Sequence, residues 1–421
     1  MFSSLTDILI KLFGETVWAN LILAFKVVVY SAFIWVPFIL VAALVKTWMS
    51  YIRAHFIQKQ GSVLYEIKIP KELNKSPAAM EVFLSHLHQM GNATYIEAYW
   101  EGKVRPWFSL ELVSIGGDVK FFIWTPAKQK GIVEAQLYAQ YPTVEIHEVA
   151  DYVAEMPYNP LEYQYFGLQW KLVKEDAYPL KTYVDYGLDK DPKEEFKIDP
   201  ITSAIEFLGS MKEGEFIWIQ FLIRAHKAEG LKDGRLFKKP DWKDGAKKVI
   251  AKIAEESRLG KGDAEKGTTL RLTKGQQDII ASIERSLGKY PFETVARGMY
   301  IAKEGVFNST NIGGLIGSLK QYSSPDLNGF KPGFATGVDY PWQDFRGKKV
   351  ASWKKELFDA YKHRSYFYGP YKNYKSDKSP SYILTTEELA TLWHFPGGVA
   401  ATPTLTRVPS KKGEAPANLP I

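Results

Sequence analysis

Gly262 and Gly267 open the stretch of this sequence that comes nearest to a phosphate-binding loop. Such a loop cradles phosphates with backbone N–H groups and needs a lysine directly after the second glycine. Thr268 stands there instead, followed by Thr269. The segment also follows a helix-patterned stretch, residues 243–258, where a phosphate loop would follow a hydrophobic strand. It reads as a flexible loop. His86 and His88 could suggest a metal pair, but two residues apart on a helix they point to nearly opposite sides. There is no cysteine, which removes disulfides and thiolate metal sites. Neither a Gly-x-Ser-x-Gly nucleophile elbow nor a paired-histidine zinc motif occurs. The expectation is a protein with no catalytic, cofactor-binding or metal-binding residues.

Two other clusters could bind something. Residues 224–252 carry ten basic side chains against four acids, so their excess charge suits a polyanion. Arg224, Lys227, Arg235, Lys238, Lys239, Lys243, Lys247 and Lys248 are the candidates, with Phe237 and Trp242 interleaved. They fit contact with anionic lipid or with phosphate backbones. A solvated loop and amphipathic helix fits the same residues. The run YKHRSYFYGPYKNY, residues 361–374, mixes tyrosines with Lys362, Arg364 and Lys372. Such a mixture can stack on bases, but it is equally the composition of a protein interface, the preferred reading.

These clusters must be held by a larger frame. Residues 27–45, VVVYSAFIWVPFILVAALV, contain no charged side chain. As a helix they would be about 28 Å long, close to the roughly 30 Å hydrocarbon core of a bilayer. Lys26 and Lys46 bracket the run. Trp18, Tyr30, Trp48 and Tyr51 suit aromatic belts, and Pro37 is a tolerated kink. The anchor candidates are Val27, Trp35, Pro37, Val45 and Lys46. A secretory signal would have a shorter apolar core and small residues at a cleavage site, whereas Lys46-Thr47-Trp48-Met49 follows here. Lys46, Arg53 and Lys59 come after the run with no acid until Glu66, so the positive-inside rule puts the large C-terminal part in the cytoplasm of a single-pass cell-membrane protein. Residues 3–22, broken by Gly14, read as an amphipathic segment lying on the outer surface.

The body reads as α+β. Residues 64–69 alternate as a strand. Ser76-Pro77 opens a helix with Met80, Phe83, Leu84 and Leu87 on one face. Strands at 107–115 and 119–124 flank the turn Gly116-Gly117-Asp118, and a helix at 128–140 precedes a strand at 143–149. That β-α-β-β-α-β order is ferredoxin-like. The pattern recurs: strands at 168–173 and 180–186, a helix opened by Asp199-Pro200, a strand at 215–224, a helix at 273–287 and a strand at 292–302. The expected organisation is thus an amphipathic segment and anchor (1–60), a first ferredoxin-like unit (61–155), a second with a basic insertion at 225–272 (156–335), and an irregular region (336–421) with a short helix at 386–393 and an extended tail.

The tail carries a family resemblance. Thr385 and Glu388 form a capping-box pattern, and the helix they start stops at His394-Phe395-Pro396-Gly397-Gly398. The phrase EELATLWHFPG, a TP-x-L-x-R element ending at Arg407 and a Pro-x-Asn-Leu-Pro ending resemble the junction before the motor domain of TraG/HerA-like conjugative DNA-transfer ATPases. The similarity is to membrane-anchored forms in type IV secretion-like systems of bacteria with reduced genomes. Asp199-Pro200, Gly214 to Gln220, Pro291 through Ala302 and Leu327-Asn328-Gly329-Phe330 resemble the N-terminal body of the same proteins. The resemblance implies a non-catalytic collar, arranged as a homo-oligomeric ring, that scaffolds a separately encoded P-loop ATPase. Glu388, Trp393, His394, Phe395 and Arg407 would dock that partner. Alternatives are a membrane-tethered nucleic-acid-binding protein using the basic insertion, and a membrane-associated enzyme of unrecognised class.

Overall fold

The computed structural model describes residues 15–70, 73, 75–91, 93–189, 198–228, 241–259, 272–397 and 407. Two helices lead in, α1 (Glu15–Tyr30) and α2 (Ala32–Gln60). Then come β1 (Ser62–Lys68), α3 (Ala78–Leu87), the short α4 (Tyr95–Tyr99), β2 (Trp107–Ile115), β3 (Asp118–Pro126), α5 (Lys130–Gln140), β4 (Glu145–Val149) and the one-turn α6 (Tyr152–Glu155). The chain continues through β5 (Tyr163–Leu172), α7 (Pro200–Gly209), β6 (Glu215–Ala225), α8 (Trp242–Leu259), α9 (Lys274–Leu287) and β7 (Pro291–Lys303). It closes with α10 (Thr310–Gly317), β8 (Phe330–Ala335), α11 (Lys348–Lys362), β9 (Tyr382–Thr385) and α12 (Thr386–Leu392).

All nine strands join one sheet, in the order β4-β1-β3-β2-β6-β7-β5-β8, with β9 beside β7. Every pairing among the described residues is antiparallel. The fold is therefore mixed α+β. The hairpin between β2 and β3 turns at Gly116 and Gly117, whose φ values of +58° and +91° lie where a side chain is disfavoured. The order of the second four strands mirrors that of the first, and the halves meet where β2 pairs with β6 from Trp107↔Arg224 to Ile115↔Phe216.

Both sheet faces are covered, which is why β6 reads as a nearly continuous apolar run and why β2 is buried from Trp107 to Ser114. On one face, Leu110, Leu112, Phe121, Ile123 and Ile219 pack with Phe83, Leu137, Ile205, Leu315 and Leu389 of α3, α5, α7, α10 and α12. On the other, Phe122, Trp124, Trp218 and Leu222 pack with Tyr152 of α6, Phe358 and Tyr361 of α11, and Tyr366 and Phe367. A satellite core of Ala246, Val249, Ile253 and Ile283 holds α8 against α9.

Three expectations change. Residues 180–186 form turns, because their backbone is bound to α12 in place of a strand: Leu180 N donates to Glu388 Oε1 at 2.9 Å and Tyr183 N to Thr391 Oγ1 at 3.0 Å. Residues 336–397 are not irregular. They supply α11, which covers one face, and β9, which pairs with Pro291–Thr294 of β7 beyond the point where β5 stops pairing. The helix that Ser76-Pro77 opens begins at Ala78, with Pro77 as its cap.

Candidate functional site

The N-terminal helices carry the most unusual surface. Phe25, Val28, Phe33, Phe38, Leu40, Val41 and Leu44 are all exposed, all round the helix. An apolar helix bare on every side suits lipid, because in water each such side chain would forfeit about 1.5–3 kcal/mol of burial. Among the described helices, α2 is the one long and apolar enough to cross a membrane. The anchor candidates Trp35, Pro37, Val45 and Lys46 lie on it, whereas Val27 falls in α1. The helix registers shift at Ser31, whose hydroxyl donates to the Val28 carbonyl at 3.1 Å, a bond that bends helices. Ser31 N still donates to Val27 O at 2.9 Å, so α1, which includes residues 15–22, runs on into α2. Residues 1–14 lie outside the described residues.

The second half of α2 belongs to the body. Met49 and Ile52 are buried, and Ile57 packs on the core beneath α11. Trp48 Nε1 donates to Tyr99 O at 2.9 Å. Gly102, at φ +71°, presses on α2 so closely that an added Cβ would sit 2.4 Å from the Ile52 carbonyl oxygen. One helix is thus bare at its apolar end and clamped at its polar end.

The basic residues separate. Arg224 is buried and ion-paired to Glu293, with its guanidinium over the ring of Phe367 at 4.5 Å, so it belongs to the core. Glu293 resists burial, which would raise its pKa; His226, Arg224 and Arg105 together hold it down at about 2. Lys227 is half-buried. Lys243, Lys247, Lys248 and Lys252 are exposed, spread across the side of α8 away from Ala246, Val249 and Ile253, with the exposed Asp244 among them. Arg235, Lys238, Lys239 and the loop at 262–269 lie outside the described residues.

The docking candidates are taken up inside the protein. Glu388, Trp393, His394 and Phe395 are all buried. The capping box forms as the sequence indicated, and Glu388 accepts from Thr385 N and Thr385 Oγ1, both at 2.8 Å. Burial, aided by neighbouring Glu387, pushes its pKa up to about 7 despite those donors. His394 bonds Asp199 Oδ1 at 3.0 Å; burial would raise the Asp199 pKa, but the His394 charge and hydrogen bonds bring it below the usual range. Trp393 and Phe395 pack edge-on against Phe121. These four residues are therefore engaged inside the protein: Trp393 and Phe395 against the sheet, His394 at the start of α7, and Glu388 with Thr385 and Leu180. Arg407 donates to Gly397 O at 3.2 Å.

One cluster was invisible in the sequence. Glu111, in the middle of β2, is fully buried and accepts from Ser109, Gln220, Tyr152 and the Arg364 guanidinium. Arg364, at φ +46° just after α11, reaches Glu111 with Nε at 2.9 Å and also pairs with Asp151. Burial alone would raise the Glu111 pKa, but Arg364 and the other donors hold it low. Arg297, two strands along the same row, donates Nη2 to Ser365 O at 2.9 Å, and burial lowers its pKa to about 10. The network ties α11 and α6 to the sheet centre and reaches the surface at Asp151, whose side chain is partly exposed. No cluster of histidine and carboxylate side chains able to hold a metal occurs among the described residues.

A family model described as "Domain of unknown function (DUF8128)" matches residues 52–407. The chain belongs to this family. The DUF8128 match starts inside the clamped half of α2 and takes in the whole sheet. No curated protein matches the chain.

Proposed function

We propose that this DUF8128 protein is a single-pass membrane protein whose body lies in the cytoplasm and acts as a non-catalytic scaffold in a type IV secretion-like or conjugative DNA-transfer machine. The observation that carries the anchor is the two-part α2. Its apolar end is bare while its polar end is clamped by Gly102 and Trp48, so cleaving it off as a signal would tear out part of the core. Lys46, Arg53 and Lys59 on the body side favour the cytoplasmic orientation.

The body supports a scaffold reading. Each half of the sheet follows β-α-β-β-α-β with strand order 4-1-3-2, the pattern of a ferredoxin-like unit, and we read the body as two such units joined along their second strands. The insertion between β6 and β7 then replaces a hairpin turn of the second unit. Its partner in the machine would be a P-loop ATPase supplied outside these 421 residues, with the body forming a homo-oligomeric ring. Because Trp393 and its neighbours are buried, that partner would dock elsewhere than on α12. Purifying the full chain from native membranes and identifying bound proteins by mass spectrometry should recover a P-loop ATPase. Recovery of none, with the chain still in the membrane, would remove the machine and leave the anchor.

The exposed lysines of α8 favour a second reading, a membrane-tethered protein that contacts nucleic acid through phosphates. Binding of DNA by the full chain in detergent, weakening steeply with salt, would be its signature.

A further inference from the structure

We propose that α4 and its flanks, residues 94–102, form a second membrane contact that lies in the lipid headgroup layer beside α2; this rests on α2 being the membrane anchor. Ile96 and Trp100 are 66% and 70% exposed, and Tyr95 is more than half exposed. Three large apolar or aromatic side chains on a five-residue helix and its C-cap form an exposed patch where a water-facing loop would carry polar groups.

Position singles out lipid as the occupant. Gly102 contacts α2 at Ile52 and Arg53, and Tyr99 and Trp100 meet it at Trp48, so the loop lies along α2 just past the apolar run. Trp48 is three residues, or about 4.5 Å, beyond Val45. The headgroup layer on each side of a bilayer is roughly 5–7 Å deep, so Trp48 and the rings around it fall within it. Trp48, Tyr51 and Trp100 then make one aromatic group, with Trp48 6.4 Å from Tyr51 and 6.0 Å from Trp100. Tyrosine and tryptophan suit this layer, being apolar in body and polar at one end.

The local charge agrees. Glu97 is paired to Lys103 at 2.6 Å and caps α4 through Thr94. Against the remaining carboxylate, Glu101, stand Lys46 and Arg53 on α2. The capping box holds α4 as a rigid hook. It would fix the tilt and rotation of the body relative to the membrane, which a lone helix leaves free.

The absence of cysteine allows a clean test with single-cysteine variants of the full chain, Val41→Cys, Ile96→Cys and Leu161→Cys, each carrying an environment-sensitive fluorophore. All three sites are exposed, so labelling disturbs no packing. Leu161 precedes the start of β5, which pairs with the far end of β7 and so lies opposite the end where α2 enters. The chains are placed in phosphatidylcholine–phosphatidylglycerol vesicles with quenchers either near the headgroup or at the acyl terminus. The expected result is a label at Val41 quenched by the deep quencher, one at Ile96 blue-shifted and quenched by the shallow one, and one at Leu161 quenched by neither. Deep quenching at Val41 with a label at Ile96 that behaves like Leu161 overturns the hook and leaves the anchor. A label at Val41 untouched by either quencher overturns both.

Discussion

Replacing Gly102 with alanine should loosen the joint between α2 and the body, and its cost follows from the local geometry. Gly102 sits at φ +71°, where an L-residue costs about 1–2 kcal/mol. The added Cβ would lie 2.4 Å from the Ile52 oxygen, 2.5 Å from the Ile52 carbonyl carbon and 2.8 Å from Arg53 N. These are backbone atoms of a helix, so no rotamer change relieves the clash, and overpacking of this kind costs about 1–3 kcal/mol more. Gly187 provides the control, since its φ is +70° but nothing lies within 4 Å of its added Cβ. Gly187→Ala should therefore cost only the backbone share, about 1–2 kcal/mol. Urea unfolding of the full chain in one detergent, with hydrogen exchange across residues 46–60, reads both effects. Gly102→Ala should exceed Gly187→Ala by at least about 1 kcal/mol and speed exchange in the second half of α2. Equal costs, with exchange there unchanged, would refute the clamp.

Three other outcomes follow. Arg364→Met strands the Glu111 carboxylate in the core and should destabilise by about 3–5 kcal/mol, with Glu111→Gln in the same chain recovering part of the loss; additive costs would mean the two are uncoupled. Glu388 has a folded pKa of about 7 against 4.5 unfolded, so it favours the fold below about pH 4.5 and loses that contribution as pH rises to about 7. That loss is on the order of 3 kcal/mol, and the stability of wild type should fall relative to Glu388→Gln between about pH 5 and pH 8, with parallel pH curves counting against the burial argument. Changing Lys243, Lys247 and Lys248 to glutamine should lower the log–log salt slope of DNA binding by about 3 if each meets a phosphate, and an unchanged slope would exclude that face.

Local signals announced much of this fold. The Thr385–Glu388 capping box, Asp199-Pro200 before α7, the paired glycines of the β2–β3 turn and the uncharged run ahead of Lys46 all stand where their chemistry requires. What remained hidden depends on partners far apart in sequence. Arg224 looked like part of a basic surface because Glu293, its counter-ion, is 69 residues away. Arg364 looked like an interface residue because Glu111 is 253 residues away. The tail helix looked detachable because the apolar floor beneath Trp393 comes from Phe121 on another strand. Residues 180–186 alternate like a strand, but their amides are taken by α12 at Leu180 and Tyr183, by Tyr322 at Lys181 and by the turn itself at Thr182, Asp185 and Tyr186. In α2, the absence of charge located the apolar run, while the clamp on its second half depends on a glycine that the sequence does not distinguish from any other.

The proposed function requires α2 to be a retained membrane anchor and not a shed signal. Washing native membranes with alkaline carbonate and measuring the mass of the chain that stays with them tests this directly. The expected result is that the chain remains in the pellet with residues 15–60 still attached. A chain released to the supernatant, or one retained only in a form cut within or after α2, would contradict it.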